Sequence, residues 1–416
     1  VNQGIIAVIL SIVFYLTSLL GGSGTQQTTP NHQFFQAEQQ VASSVMGRRA
    51  VTLGDNISLR SGPDVKYPSV TALKGGAEVT VLQAENGWYK VRYAPGRDAW
   101  IPGSSVALKD SQDEEGQETM VLGYYFLGGE SFTAMLEHGQ ALTSISPWSW
   151  ALTANGSLAG DFDPKALGES LLFAGNHGLK TYALVHAAGE EQLEALLTST
   201  DAQHLAVANI KRALKEWGVH GVHLHLTEVP TELKGEFTAF IENLGDALSH
   251  SGLETSVAVP AAGGGEAYDY AALAQHVDFI VLLAYGQHGP GTTPGPIASA
   301  EWVEEVVQRA VSQVDPQKLV LAIPSYGYNW PEAGGAHTIT HSEAVELAAT
   351  EGIKIRWHSQ YKTPYFTHNG GEAWFENRFS VQAKLQIVSE YGLKGVALWP
   401  LGQEDEGIWK ILEQHT

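Results

Sequence analysis

The chain has 416 residues, 45 acidic against 24 basic, and a net charge of -21. Apolar residues make up 44% and charged ones 17%, a globular balance that excludes a disordered chain. The excess of acid argues against nucleic acid as partner, because phosphate binding needs clustered Lys and Arg, and the lack of cysteine excludes disulfides, thiolate metal sites and a cysteine nucleophile.

The charge is unevenly divided. Residues 47–109 carry nine basic side chains (Arg48, Arg49, Arg60, Lys66, Lys74, Lys90, Arg92, Arg97, Lys109) and five acidic ones (Asp55, Asp64, Glu78, Glu85, Asp98), a net of +4. The segment before them holds only Glu38, so the -21 total leaves -24 from residue 110 onward. A small basic module joined to a large acidic one predicts two domains with different partners.

In chain order, residues 5–20 (IIAVILSIVFYLTSLL) are apolar and uncharged, and residues 1–24 are expected to be a signal peptide or membrane anchor. This is the only predicted contact with a membrane. Residues 25–46 follow as a polar linker. Residues 47–109 then show short strand patterns broken at Gly62-Pro63 and Tyr67-Pro68, with an Asn86-Gly87 hairpin turn. Short strands with such turns predict a small barrel. Trp100 and above all Trp88 are expected in its core. The blocks LRSGP, Tyr67-Pro68, NGWYKV and AWIPGSSV resemble a bacterial SH3-type domain. That resemblance implies tethering to cell-wall peptidoglycan or a related polymer.

After an acidic linker at 110–118, eight apolar runs alternate with helical patterns over 119–416: MVLGYYFL, LTSISPWSW, LKTYALVHA, GVHGVHLHL, ETSVAVPA, VDFIVLLAY, KLVLAIPSYG and GLKGVALWPL. This order predicts an α/β fold, a (β/α)8 TIM barrel, with a small α+β insertion at 333–378. An open doubly wound sheet fits less well, since no Gly-rich phosphate turn follows the first strand. Barrel chemistry sits at the C-terminal strand ends. Those ends carry Tyr124, Trp148, His186, His225, Tyr285, His288, Tyr326, Trp330 and Trp399. Aromatic faces stack on sugar rings, which makes Tyr124, Trp148, Tyr285, Tyr326, Trp330 and Trp399 candidate substrate-binding residues.

The blocks VLGYYFLGGESFTAMLEHGQALTSISPW, GVHGVHLHLTEVP, YDYAALAQHVDFIVLLAYGQHGPG, KLVLAIPSYGYNW and WFENRFSVQAKLQIVSEYGLKGVALWPLG resemble, in order, glycoside hydrolase family 18. The likeness is to its chitinase-like, bacterial spore-cortex-lytic and germination-related branch. The resemblance implies a D-G-x-x-x-D-x-E signature on the fourth strand, whose Glu is the general acid and whose preceding Asp orients the substrate's N-acetyl group. Here the first Asp falls on His220, the middle position on His223, the assisting Asp on His225 and the Glu on Thr227, while Tyr285 is followed by Gly286 instead of an acid. The acid signature is degenerate.

Glu228 is the one adjacent carboxylate. Strand alternation turns it away from Thr227 unless a β-bulge intervenes. His186, His223, His225 and His288 invite a metal reading, but no fixed ligand spacing supports it, and neither metal nor cofactor is expected. The leading reading is an exported, wall-associated protein that binds an N-acetylglucosamine-containing glycan, peptidoglycan or chitin-like, with hydrolysis lost or impaired. Two alternatives stand: an active glycosidase using Glu228 or another carboxylate, and a structural spore-coat or envelope protein.

Overall fold

The computed structural model describes residues 45 and 48–413, apart from 95–96, 109–118, 128, 161, 188, 262–264 and 333. The apolar run at 5–20 and the linkers at 25–44 and 110–118 lie outside the described residues.

The first part is all β: β1 (Arg49–Thr52), β2 (Ile57–Arg60), β3 (Ser69–Leu73), β4 (Glu78–Glu85), β5 (Trp88–Ala94), β6 (Arg97–Pro102) and β7 (Val106–Leu108). They form one antiparallel sheet in the order β3-β2-β6-β5-β4-β1-β7. The β4–β5 hairpin turns on Asn86 (φ 50°) and Gly87 (φ 75°), the two positive φ angles that a tight primed turn demands. Ala50, Leu59, Val79, Val81, Val91 and Ile101 fill its core. Trp88 does not join them. It is half-buried at the turn, opposite Pro102, because a strand's alternation there assigns the inward positions to its neighbours. Trp100 is buried, but on the face opposite to Ala99 and Ile101.

The second part opens with β8 (Met120–Tyr125), α1 (Gly129–His138), β9 (Ser144–Leu152), its short antiparallel partner β10 (Leu158–Ala159) and α2 (Pro164–Asn176). Then come β11 (Lys180–His186), α3 (Glu190–Leu197), α4 (Thr200–Trp217), β12 (Gly221–His225), α5 (Lys234–Ser249), β13 (Glu254–Pro260), α6 (Tyr270–His276), β14 (Phe279–Leu283), α7 (Ala300–Val311) and β15 (Leu319–Pro324). An inserted sheet follows: β16 (Tyr326–Trp330), β17 (His337–Thr340), α8 (His341–Thr350), β18 (Arg356–His358), β19 (Thr363–His368) and β20 (Gly371–Trp374). The chain ends on α9 (Arg378–Glu390), β21 (Gly395–Trp399) and α10 (Gly407–Leu412).

Strands β8, β9, β11 to β15 and β21 pair in parallel in that order, and β21 pairs with β8 to close an eight-stranded barrel. Met120, Leu122, Tyr182, Leu184, Phe279, Val281, Val320 and Ala397 point into it. The alternate residues, such as Val121, Val222, Leu224, Leu321 and Val396, pack outward under the helices. The insertion is a five-stranded antiparallel sheet in the order β17-β16-β20-β19-β18, with α8 packed on Ile339, Phe366, Ala373 and Phe375. Its first strand lies at Tyr326–Trp330, upstream of the 333–378 bounds read from the sequence. Arg92 of the β module reaches both Asp98 (2.8 Å) and Glu137 of α1 (3.3 Å). Among the described residues no helix is long and apolar enough to cross a membrane.

Candidate functional site

Strand β12 directs His223 and His225 into the barrel, because Val222, Leu224 and Leu226 belong to the outer core. His223 is fully buried and bonded at both ring nitrogens, Nε2 to the Tyr124 hydroxyl (2.8 Å) and Nδ1 to Ser256 Oγ (2.9 Å). Ser256 Oγ itself donates to the carbonyl of Val222 (3.2 Å). Its proton is therefore committed, so Nδ1 carries the imidazole hydrogen and Nε2 accepts from Tyr124. That tautomer is neutral. Burial, and next the neighbouring His225, hold its pKa well below the usual histidine value.

His225 is different. Its ring lies flat on Trp399, with centroids 5.3 Å apart and planes 10° apart, and near Trp148 (5.8 Å) and Tyr124 (6.1 Å). Its Nδ1 is buried with no hydrogen-bond partner. Burial, and then His186, pull its pKa down to about 4. His186 packs on Trp148 at 4.5 Å and is lowered by burial as well.

Trp399 is the hub. Tyr124 meets it edge-on at 4.8 Å, Trp148 lies 5.7 Å away, and Tyr285 stacks at 6.4 Å with planes 13° apart. Burial, together with the nearby hydroxyls of Tyr124 and Tyr326, keeps the Tyr285 phenol well above its ordinary pKa. Phe126 completes the mouth, stacked on Trp148 at 5.4 Å and 39% exposed. Sequence reasoning passed over Phe126, although it continues the Tyr124–Tyr125 run at the strand end.

Tyr326 joins through its effect on Tyr285 and leads by way of Tyr328 (5.5 Å) to Trp330 (5.7 Å further). Trp330 is buried within the inserted sheet, two steps from the mouth, because β16 carries it away from the barrel axis. Thr227 is half-buried just past β12. Glu228 is exposed: a Cβ built at Gly189 would lie 4.0 Å from its Oε2, and its charge acts on Tyr268, outside the barrel. His220 sits at the other end of the strand, where its Nδ1 accepts from the Thr181 backbone (3.1 Å). His288 is held in its own loop by the carbonyl of Thr293 (3.0 Å). Among the described residues no three His, Asp or Glu side chains are grouped so as to hold a metal ion.

The geometry brings His223, His225, Tyr124, Trp148, Tyr285 and Trp399 together, with Tyr326 beside them. It leaves Glu228 and Trp330 apart. Such a mouth offers flat apolar faces, one buried imidazole nitrogen without a hydrogen-bond partner and no carboxyl acid on β12.

A family model described as glycosyl hydrolases family 18 matches residues 175–404, and one described as bacterial SH3 domain matches residues 55–107. The chain is 24% identical over 318 residues to an uncharacterized glycosylase of Bacillus subtilis, covering 71% of this chain and 91% of that protein. It is 29% identical over 236 residues to the cortical fragment-lytic enzyme of Bacillus anthracis, covering 53% of this chain and 55% of the enzyme. Among solved structures, a chitinase from Chromobacterium violaceum superposes with a TM-score of 0.66 at 27% identity, over 71% of this chain and 98% of the chitinase.

Proposed function

Because the chain belongs to the family 18 glycosyl hydrolases, we propose that it binds an N-acetylglucosamine-containing glycan, peptidoglycan or chitin-like, at the barrel mouth, with hydrolysis lost or impaired. One observation carries this reading. The aromatic surround of Trp399 is complete, while the inward positions of β12 are His223 and His225, with Thr227 just beyond.

Protonating a glycosidic oxygen needs an acid whose pKa approaches the working pH, and a threonine hydroxyl does not supply one. Loss of a general acid costs roughly 10²–10⁴ in rate. Glu228, exposed beside Gly189, favours loss of the acid over its reassignment to a neighbour. In this reading Trp399, Trp148 and Tyr285 form the sugar platform, Tyr326 extends it, and the buried Tyr124 and Trp330 support it from behind. The cortical fragment-lytic and chitinase relatives favour a wall or chitin-like polymer as ligand. The basic SH3-type module suits a tether to an anionic wall, and residues 5–20 suit export.

The test is retention of the full chain on insoluble peptidoglycan and on chitin, with release of reducing ends measured in parallel. Retention without turnover is expected; Trp399→Ala should abolish the retention on chitin and lower that on peptidoglycan to what the SH3-type module alone provides. No retention on either polymer would sink the proposal. Steady turnover that Glu228→Gln abolishes would replace it with the active-enzyme reading.

A further inference from the structure

The imidazoles of the mouth are unequally satisfied. His223 is saturated by Tyr124 and Ser256. His225 keeps a buried Nδ1 bonded to nothing, on a ring laid flat against the Trp399 indole. The titratable groups facing it are His186 from β11, Tyr124 from β8 and His223 from its own strand, with Tyr285 stacked beyond Trp399. Among the described residues no carboxylate is one of the groups whose charge moves His225 or His186. Glu228 stands outside the barrel, and Glu376, near Tyr326, is held by Lys384 at 2.7 Å.

A carboxylate-lined pocket repels anions, and among the described residues no carboxylate supplies that repulsion here. Burial keeps His225 neutral with a pKa of about 4. Two features favour the protonated ring once an anion arrives. Nδ1–H then gains the partner it lacks, and the charge lies over the face of Trp399, where the ring quadrupole stabilises a cation. We propose that the mouth takes an acidic sugar, a ring bearing a carboxylate, which pairs with His225 as that imidazole takes one proton from solvent. This deepens the glycan-binding proposal and rests on it.

Linkage sets the sign. A ligand that raises the pKa of His225 binds with proton uptake, so its affinity climbs as pH falls from 7 toward 4, by at most ~10-fold per pH unit. The matched probes are N-acetylmuramic acid and N-acetylglucosamine, which differ by the lactyl carboxylate. NMR titration of the full chain at pH 7, 6 and 5 should show the acidic sugar gaining affinity at each step and the neutral one not. The imidazole resonance missing from His225→Gln should shift its midpoint upward by about two pH units with the acidic sugar bound, a ~100-fold linkage. His225→Gln should also flatten the affinity slope, and calorimetry of the unmutated chain at pH 5 in two buffers of different ionisation enthalpy should give proton uptake approaching one per ligand. Binding of N-acetylglucosamine with no preference for the acidic sugar and no uptake would overturn this inference alone. Binding of neither sugar would overturn it together with the glycan reading.

Discussion

His223 keeps an imidazole inside a barrel by spending both ring nitrogens on Tyr124 and Ser256. His223→Ala would strand the Tyr124 hydroxyl, while Ser256 keeps its bond to the Val222 carbonyl, and would leave a void, so a loss of about 3 kcal/mol is expected in urea unfolding. Charge matters too. His225 and His177 have folded pKa values of about 4, both depressed first by burial. The unfolded chain binds protons near pH 6.5 while the folded chain does not, so stability falls as pH drops from about 6.5 toward 4. Each such histidine should remove about 2 kcal/mol between pH 7 and pH 5, and His225→Gln should recover its share. A flat stability profile across that window would contradict the buried neutral histidines. Alternation alone predicted that Glu228 turns away from Thr227. The bonds that fix the tautomer were not legible, because Tyr124 and Ser256 lie 99 and 33 positions away along the chain.

At the scale of elements, α9 is pinned at two levels. Its N-cap Asn377 accepts from the Phe379 and Ser380 amides, and Arg378 forks onto Asp405 at 2.9 and 2.7 Å. Burial pushes the Asp405 carboxyl up, but Arg378 and two backbone amides outweigh it and bring its pKa to about 2. One turn further on, Lys384 and Glu376 form an ion pair with each side chain only 1% exposed. Removing one partner of such a pair leaves a buried charge. Lys384→Met should cost roughly 3–5 kcal/mol, and adding Glu376→Gln should restore most of it in the double variant. Thermal melts of the three variants check this, and additive losses would show that the pair is not coupled. The eight barrel strands were legible as apolar runs. The start of the insertion was not, since only Ser325 separates β15 from β16 and the two read as one run. Ser325 makes the break by bonding to the Trp399 and Pro400 carbonyls, at the far end of the barrel sequence.

For the whole molecule, the split between a +4 module and a -24 remainder, legible from composition, acquires a geometric expression. Leu82 packs against the outer barrel core, and Arg92 bridges its own Asp98 to Glu137 on α1. Beside them runs a cleft of about 560 Å³ lined by Arg49, Glu78, Arg92, Tyr93, Glu137 and Gln140. The docking contact itself was hidden in the sequence, because any of nine basic residues had many acids to choose among. The Arg92 and Glu137 side chains are 15% and 14% exposed, well below the exposure at which ion pairs lose their worth to solvent. A double-mutant cycle of Arg92→Ala and Glu137→Ala should therefore give a coupling of about 1–2 kcal/mol. Reversing the charge with Glu137→Lys sets like charges face to face, and small-angle scattering should record a larger radius of gyration while the barrel's melting temperature holds. If the radius stays constant, apolar contacts such as Leu82 hold the module, and Leu82→Ser becomes the substitution that should release it.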